Sequence, residues 1–272
     1  MIGPEPGSTL TPTPPLLKRL AELVRGLYRD ERALWNAHYR RYFKISARLL
    51  ALGFILGFVY FLVRPAQETR ALALVMKALK DIPLDAPPLV LALTIFYHNA
   101  FASALAVVAG ILPFLCLPAL DPLVNGATLG LLASISKHQG LNVPLLFLKS
   151  VAPHGAIELP AVLYATSVGI YLSVSIAKRL LAAVRTKRVA AGREPSVVPG
   201  PEAPDGAAES PEEASSGHED AGTAKAAGDA SPQDLSSFVR CLAAAARSFM
   251  VVVLPLLLIA AFIEAFVTPV LR

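Results

Sequence analysis

The chain has 272 residues, of which 54% are hydrophobic and only 17% charged, with a formal net charge of +5. Soluble domains carry roughly a quarter charged residues, so the composition excludes an ordinary soluble domain and points to a membrane protein. The bases flank apolar runs, which suits the anionic face of a bilayer and argues against a nucleic-acid partner.

Residues 1–15, rich in Pro, Gly and Thr, are expected to be disordered. From Leu16 the leucines at 16, 20, 23, 27 and 34 recur at helical spacing, with Lys18, Arg19, Arg25, Arg29 and Arg32 between them. This predicts an amphipathic cytoplasmic helix over 16–44, lying either on the membrane surface or on the protein's own cytoplasmic side. No signal peptide is expected, because the first apolar run starts only near Ile45.

That run, 45–63, is long enough to cross about 30 Å of hydrocarbon. Arg48 sits near the cytoplasmic end, where it can snorkel, and Gly53 and Gly57 form a small-xxx-small pair that permits close helix approach. Mixed residues 64–88 predict a short external amphipathic helix ended by Pro83 and Pro87-Pro88. A second span is expected at 90–115. The third, 121–137, is only marginally long enough to cross, and a re-entrant segment is the alternative. The fourth, 144–177, contains Pro153 and Pro160 and reads as a helix broken around Ala152–His154.

Segment 194–234 then holds ten acids and one base, Lys225. Taking these out of the 25 bases and 20 acids leaves 24 against 10, so the remainder is strongly cationic. The tract 192–236 reads as a flexible cytoplasmic linker, and 248–270 as the last span. Cys116 and Cys241 offer neither a disulfide framework nor a metal spacing and read as inert small hydrophobes.

Basic clusters precede the first span and follow the fourth, so both belong in the cytoplasm. The fold expected is an all-α membrane protein, a polytopic bundle of about five transmembrane helices in the cytoplasmic membrane. Its N-terminus is cytoplasmic and its C-terminus outside. A re-entrant 121–137 would break that parity.

Polar side chains stand inside these spans: His98, Asn99, Asn125, His154, Glu158 and Glu264. A charged group at mid-membrane costs roughly 2.5–3.5 kcal/mol on insertion scales, so each must face protein, water or a partner, or be neutral. His154 and Glu158 are four apart and share a helix face, and Pro153 would put His154 near a helix N-terminus. A polar clamp between helices, a proton or ion relay, a lipid or substrate contact and a metal site all remain open. Zinc catalysis generally needs three protein ligands, and no His-Glu-x-x-His motif exists. Glu264 either reaches the outer interface or meets a base, with His98 and His154 available. Asn125-Gly126 with Gly130 suits tight helix packing with an interhelical hydrogen bond, or a cavity lining. No serine elbow, Walker A or dinucleotide motif is present, so no enzyme activity and no cofactor or metal is expected.

The same residues carry a resemblance. Pro153-His154-Gly155-Ala156-Ile157-Glu158-Leu159-Pro160-Ala161 resembles the PHG-x-x-E-x-x-A segment of the stage II sporulation protein M (SpoIIM, DUF95) family. Asn125-Gly126-x-x-x-Gly130, the segment from Asn99 to Gly110, and Glu264 followed by Val267-Thr268-Pro269 resemble further elements of it. The Gly-rich turn that the family has after Gly110 is replaced here by Pro113 and Pro118. The resemblance implies a polytopic membrane protein without catalysis of its own, and the sporulation member is a scaffold for peptidoglycan-degrading enzymes. Relatives in non-sporulating organisms mean that the label is no claim of sporulation. The expectation is a membrane scaffold for envelope remodelling; the alternative is a transporter or channel with a buried site for an ion, proton or lipid headgroup. Expected partners are membrane lipids and envelope proteins, peptidoglycan-processing enzymes and further copies of the chain among them, and no nucleic acid.

Overall fold

A computed structural model describes residues 16–190, apart from Asp81, Leu84 and Cys116, and residues 232–268. The expectations for residues 1–15, for Cys116 and for most of the acidic linker lie outside the described residues. Its last residues do not: helix already begins at Pro232, so the linker ends earlier than composition suggests.

Every regular element among the described residues is helical. Helix α1 (Leu16–Leu34) runs through a π-turn at Trp35–Tyr39 into α2 (Arg40–Val63). The amphipathic helix and the first span are therefore one continuous rod, not two elements. Pro65 starts α3 (Pro65–Ala78) and Pro88 starts α4 (Pro88–Ala109), each in the first turn where its missing N–H costs nothing. After Gly110 the chain turns with Phe114 at φ 74°, the left-handed region where glycine is at ease and a bulky side chain is strained. The resemblance implies a Gly-rich turn here, and the chain has Pro113 and Pro118 instead.

Helix α5 (Leu117–His138) is unbroken despite Pro122, so the re-entrant alternative has no helical break to support it. Gly140, at φ 70°, ends it, with the Leu141 N–H donating back to the Ser136 carbonyl at 2.9 Å. Asn142 caps the next helix through the Leu145 N–H at 3.1 Å. That helix, α6 (Val143–Leu146), continues through a π-turn at Phe147–Val151 into α7 (Ala152–Ala190). The break expected at Ala152–His154 is thus a π-turn one residue earlier, and the rod does not stop. His154 stands inside it, away from any free helix N-terminus. Helix α8 (Pro232–Ser248) likewise passes through a π-turn at Phe249–Val253 into α9 (Leu254–Phe266).

Four helical stretches are long and apolar enough to cross a membrane: Lys18–Val63, Pro88–Ala109, Val143–Thr186 and Phe238–Phe266. Helix α5 is less apolar, yet its 22 residues give a length of about 33 Å. It lies alongside α2 in parallel register. Gly53 meets Leu123, Gly57 meets Ala127, and Glu68 just beyond α2 meets Ser134 and His138. Helix α4 runs parallel to α7, with Gly110 against Gly169. Against these, α5 and α7 are antiparallel, joined by Pro118 to Gly169 and by the Thr166 hydroxyl donating to Asp121 at 3.0 Å. The α8–α9 rod is antiparallel to α7, from His154–Glu264 at one end to Arg179–Cys241 at the other. So α2, α5 and α9 point one way, and α4 and α7 the other. The molecule is an all-α membrane bundle.

Candidate functional site

One face of α7 gathers the polar residues. His154 and Glu158 are one turn apart, and the His154 imidazole Nδ1 is ion-paired with Glu264 on α9. The Glu158 carboxylate lies within electrostatic reach of His154, Glu264 and, from α4, His98. Four of the expected residues therefore converge where α4, α7 and α9 meet. The cluster sets two carboxylates beside two imidazoles. The pair is partly sheltered, the side chains of His154 and Glu264 being 19% and 22% exposed, while His98 is exposed at the rim.

The other expected residues have different tasks. Asn99 is half-buried on α4, and its side chain makes no hydrogen bond among the described residues. Gly155 is buried, but a methyl there would meet only Val151 and Leu159 of its own helix, so close helix approach is not its role. Gly126 and Gly130 are different: a Cβ at either would collide with backbone of α2 around Leu50, Phe54 and Phe58. Asn125 does not bond across helices. Its amide donates along α5 to Asp121 at 3.4 Å, and Asp121 in turn accepts from Thr166 of α7. The interhelical polar contact expected of Asn125 is thus made by its neighbour one turn earlier.

Asp121 is one of several residues that motif reading passed over. A second is Glu31, 4% exposed, which accepts a hydrogen bond from the Tyr164 hydroxyl of α7. Arg247 of α8 reaches Asp30 at 3.3 Å and Glu31 at 4.0 Å. Ser248 donates to Tyr39 at 3.2 Å, and Trp35 stacks on Tyr164 with ring centroids 5.6 Å apart. The end of the N-terminal helix is therefore held on α7 and α8, which favours packing on the protein for that part, while residues 18–30 are mostly exposed. A signal for Glu31 existed: the leucine stripe jumps seven residues from Leu27 to Leu34, and the skipped position is Glu31. At the other end of the bundle, Glu68 of α3 accepts from Ser134 at 2.7 Å and meets His138 at 3.0 Å. Cys241 is not wholly inert packing, since Arg179 donates to its sulfur at 3.4 Å.

Chemically, the α4–α7–α9 cluster can hold helices together or bind a small ion. Among the described residues, no group of three or more His, Cys, Asp or Glu side chains could hold a metal ion. No curated protein and no solved structure matches the chain. A family model does: stage II sporulation protein M matches residues 44–206, more than half of the chain and all of α5 and α7. With the PHG segment, the Asn125-Gly126 element and the bundle geometry in place, the protein belongs to the stage II sporulation protein M family.

Proposed function

We propose that the protein is a non-enzymatic membrane scaffold that positions envelope-remodelling proteins, and that its buried polar cluster is an interhelical clamp. The observation that carries this is the His154–Glu264 ion pair, which ties an uninterrupted α7 to α9. Transporter sites usually lie where helices are discontinuous, with free backbone groups turned to the substrate. Here the helix runs on through the site. The docking surfaces are cytoplasmic: the exposed basic part of α1 and the acidic linker that follows α7.

The helix directions support five crossings, with α2, α5 and α9 leading out and α4 and α7 leading in. The many bases at the α1–α2 junction and along the end of α7 support a cytoplasmic assignment for that side. Single cysteines in a background without the two native ones test this in inverted and right-side-out vesicles. Gln139→Cys and Met76→Cys are expected to react with a membrane-impermeant thiol reagent only from outside, and Asp30→Cys only from the cytoplasmic side. Labelling of Gln139→Cys from the cytoplasm would refute the crossing assigned to α5.

The function itself is tested by pairing a flux assay with crosslinking. Proteoliposomes holding the purified chain are expected to pass protons and alkali cations no faster than empty liposomes. In cells, crosslinking should recover peptidoglycan-processing enzymes, with recovery lost when residues 1–29 are removed, which leaves Asp30 and Glu31 on the bundle, and kept when the clamp is replaced by leucines. Flux that His154→Ala abolishes would instead establish the transporter reading.

A further inference from the structure

Where α1 passes into α2, the rod carries a concavity of about 360 Å³ lined by Asn36, Ala37, His38, Arg40, Arg41 and Lys44. Three bases line it and no acid does. Arg40 and Lys44 are four apart, and Lys44 and Arg48 are four apart, so like charges stack along one helix face. Such pairs destabilise a helix by about as much as opposite pairs stabilise it, a few tenths of a kcal/mol each. Nothing nearby compensates them: among the described residues, Arg40, Arg41, Lys44 and Arg48 have no ion pair within 4.0 Å. The closest acids along the chain, Asp30 and Glu31, are engaged by Arg247 and Tyr164.

The concavity is held from behind. Tyr39 and Tyr42 are 0% and 6% exposed, and His38 stacks on Tyr171 of α7 with centroids 4.8 Å apart. The Arg41 guanidinium lies 4.4 Å over the Tyr42 ring and donates to its hydroxyl at 2.6 Å, which fixes one base at the rim. A cluster of cations without ion-pair partners, set on a packed backing, suits an anion. Its position narrows the anion, because the apolar run begins at Ile45, one residue past Lys44. That is the depth of the lipid phosphates.

We infer that this concavity binds the phosphate headgroup of an anionic phospholipid in the leaflet at the basic end of the bundle. Arg40, Arg41 and Lys44 take the phosphate, and Asn36 and His38 face the polar headgroup. The acyl chains lie along the exposed apolar side of α2, where Leu52, Ile55 and Val59 face outward. The inference stands independently of whether the protein is a scaffold or a transporter.

Native mass spectrometry of the full chain from nanodiscs of phosphatidylcholine with a minor fraction of phosphatidylglycerol provides the test. Wild type is expected to retain phosphatidylglycerol in preference to phosphatidylcholine. The Arg40→Gln/Arg41→Gln/Lys44→Gln variant should lose about tenfold or more of that preference, as each base near the surface contributes appreciably. Arg70→Gln/Lys77→Gln on α3 should leave it unchanged. Equal loss in both variants, or none in the triple variant, would overturn the site. Displacement by inorganic phosphate at matched concentration would show a soluble anion to be the ligand and overturn the lipid assignment. Should the triple variant not fold, a photoreactive phosphatidylglycerol on wild type decides: adducts within residues 36–59 support the site, and adducts only elsewhere refute it.

Discussion

Alanine at Gly126 is expected to lower the thermal stability of the purified protein sharply, and alanine at Gly57 nearly as much. An added Cβ at Gly57 would stand 2.6 Å from the Ala127 carbonyl oxygen, and one at Gly126 would be 2.8 Å from the Phe54 nitrogen while overlapping the Leu50 carbonyl. These are backbone atoms in a helix, so they cannot rotate aside, and the two rods must separate. Overpacking of this kind costs about 1–3 kcal/mol and occasionally more, and the upper end applies here. At about 2–4 °C per kcal/mol for a protein of this size, the melting temperature should fall by roughly 6–12 °C. The double variant should cost less than the sum, because one separation of α2 from α5 relieves both clashes. Gly26→Ala is the contrast: nothing lies within 4 Å of its Cβ, and losing a mid-helix glycine gains up to about 1 kcal/mol. Thermal unfolding in detergent, followed by circular dichroism, checks all four. If Gly126→Ala melts like wild type, the two helices do not approach as closely as described.

This seam also accounts for what could be read from the residues alone. Gly53 and Gly57 formed a small-xxx-small pair, and Gly126 and Gly130 a second one, each a common motif of low specificity. That they are partners is a matter of register, set by where α2 and α5 lie side by side in parallel, and no local pattern encodes it. The His and Glu positions were legible for a different reason. A charge inside an apolar run violates the local rule and must be compensated by something distant, so the residues can be named, with His98 and His154 both open as the base for Glu264. Asp121 is not marked out because it stands at the start of its expected span, and Glu31 because it lies in the amphipathic helix before the first span; at neither place does a charge break the rule. The continuity of α7 is not legible at Pro153, because proline near a π-turn is accommodated by the wider helix, whereas in regular helix it removes a hydrogen bond and clashes with the preceding turn.

Glu264→Leu and His154→Leu are each expected to destabilise the bundle, and the double leucine variant to restore it. Removing one member of a sheltered ion pair leaves its partner without compensation and costs roughly 3 kcal/mol, whereas replacing both by apolar groups is often neutral or better. The pair here is about four-fifths sheltered, so the single variants should fall somewhat short of the full effect. With both leucines in place, Glu158 and His98 still face each other across the α4–α7 contact. Melting temperatures of the four proteins give the coupling directly. A double variant as unstable as the two singles combined would mean that the pair does not act as a unit, and the clamp would have to be abandoned. A double variant that folds well and still recovers its crosslinked partners would place the cluster's value in assembly of the bundle, with the family's polar motif serving the fold that the docking surfaces stand on.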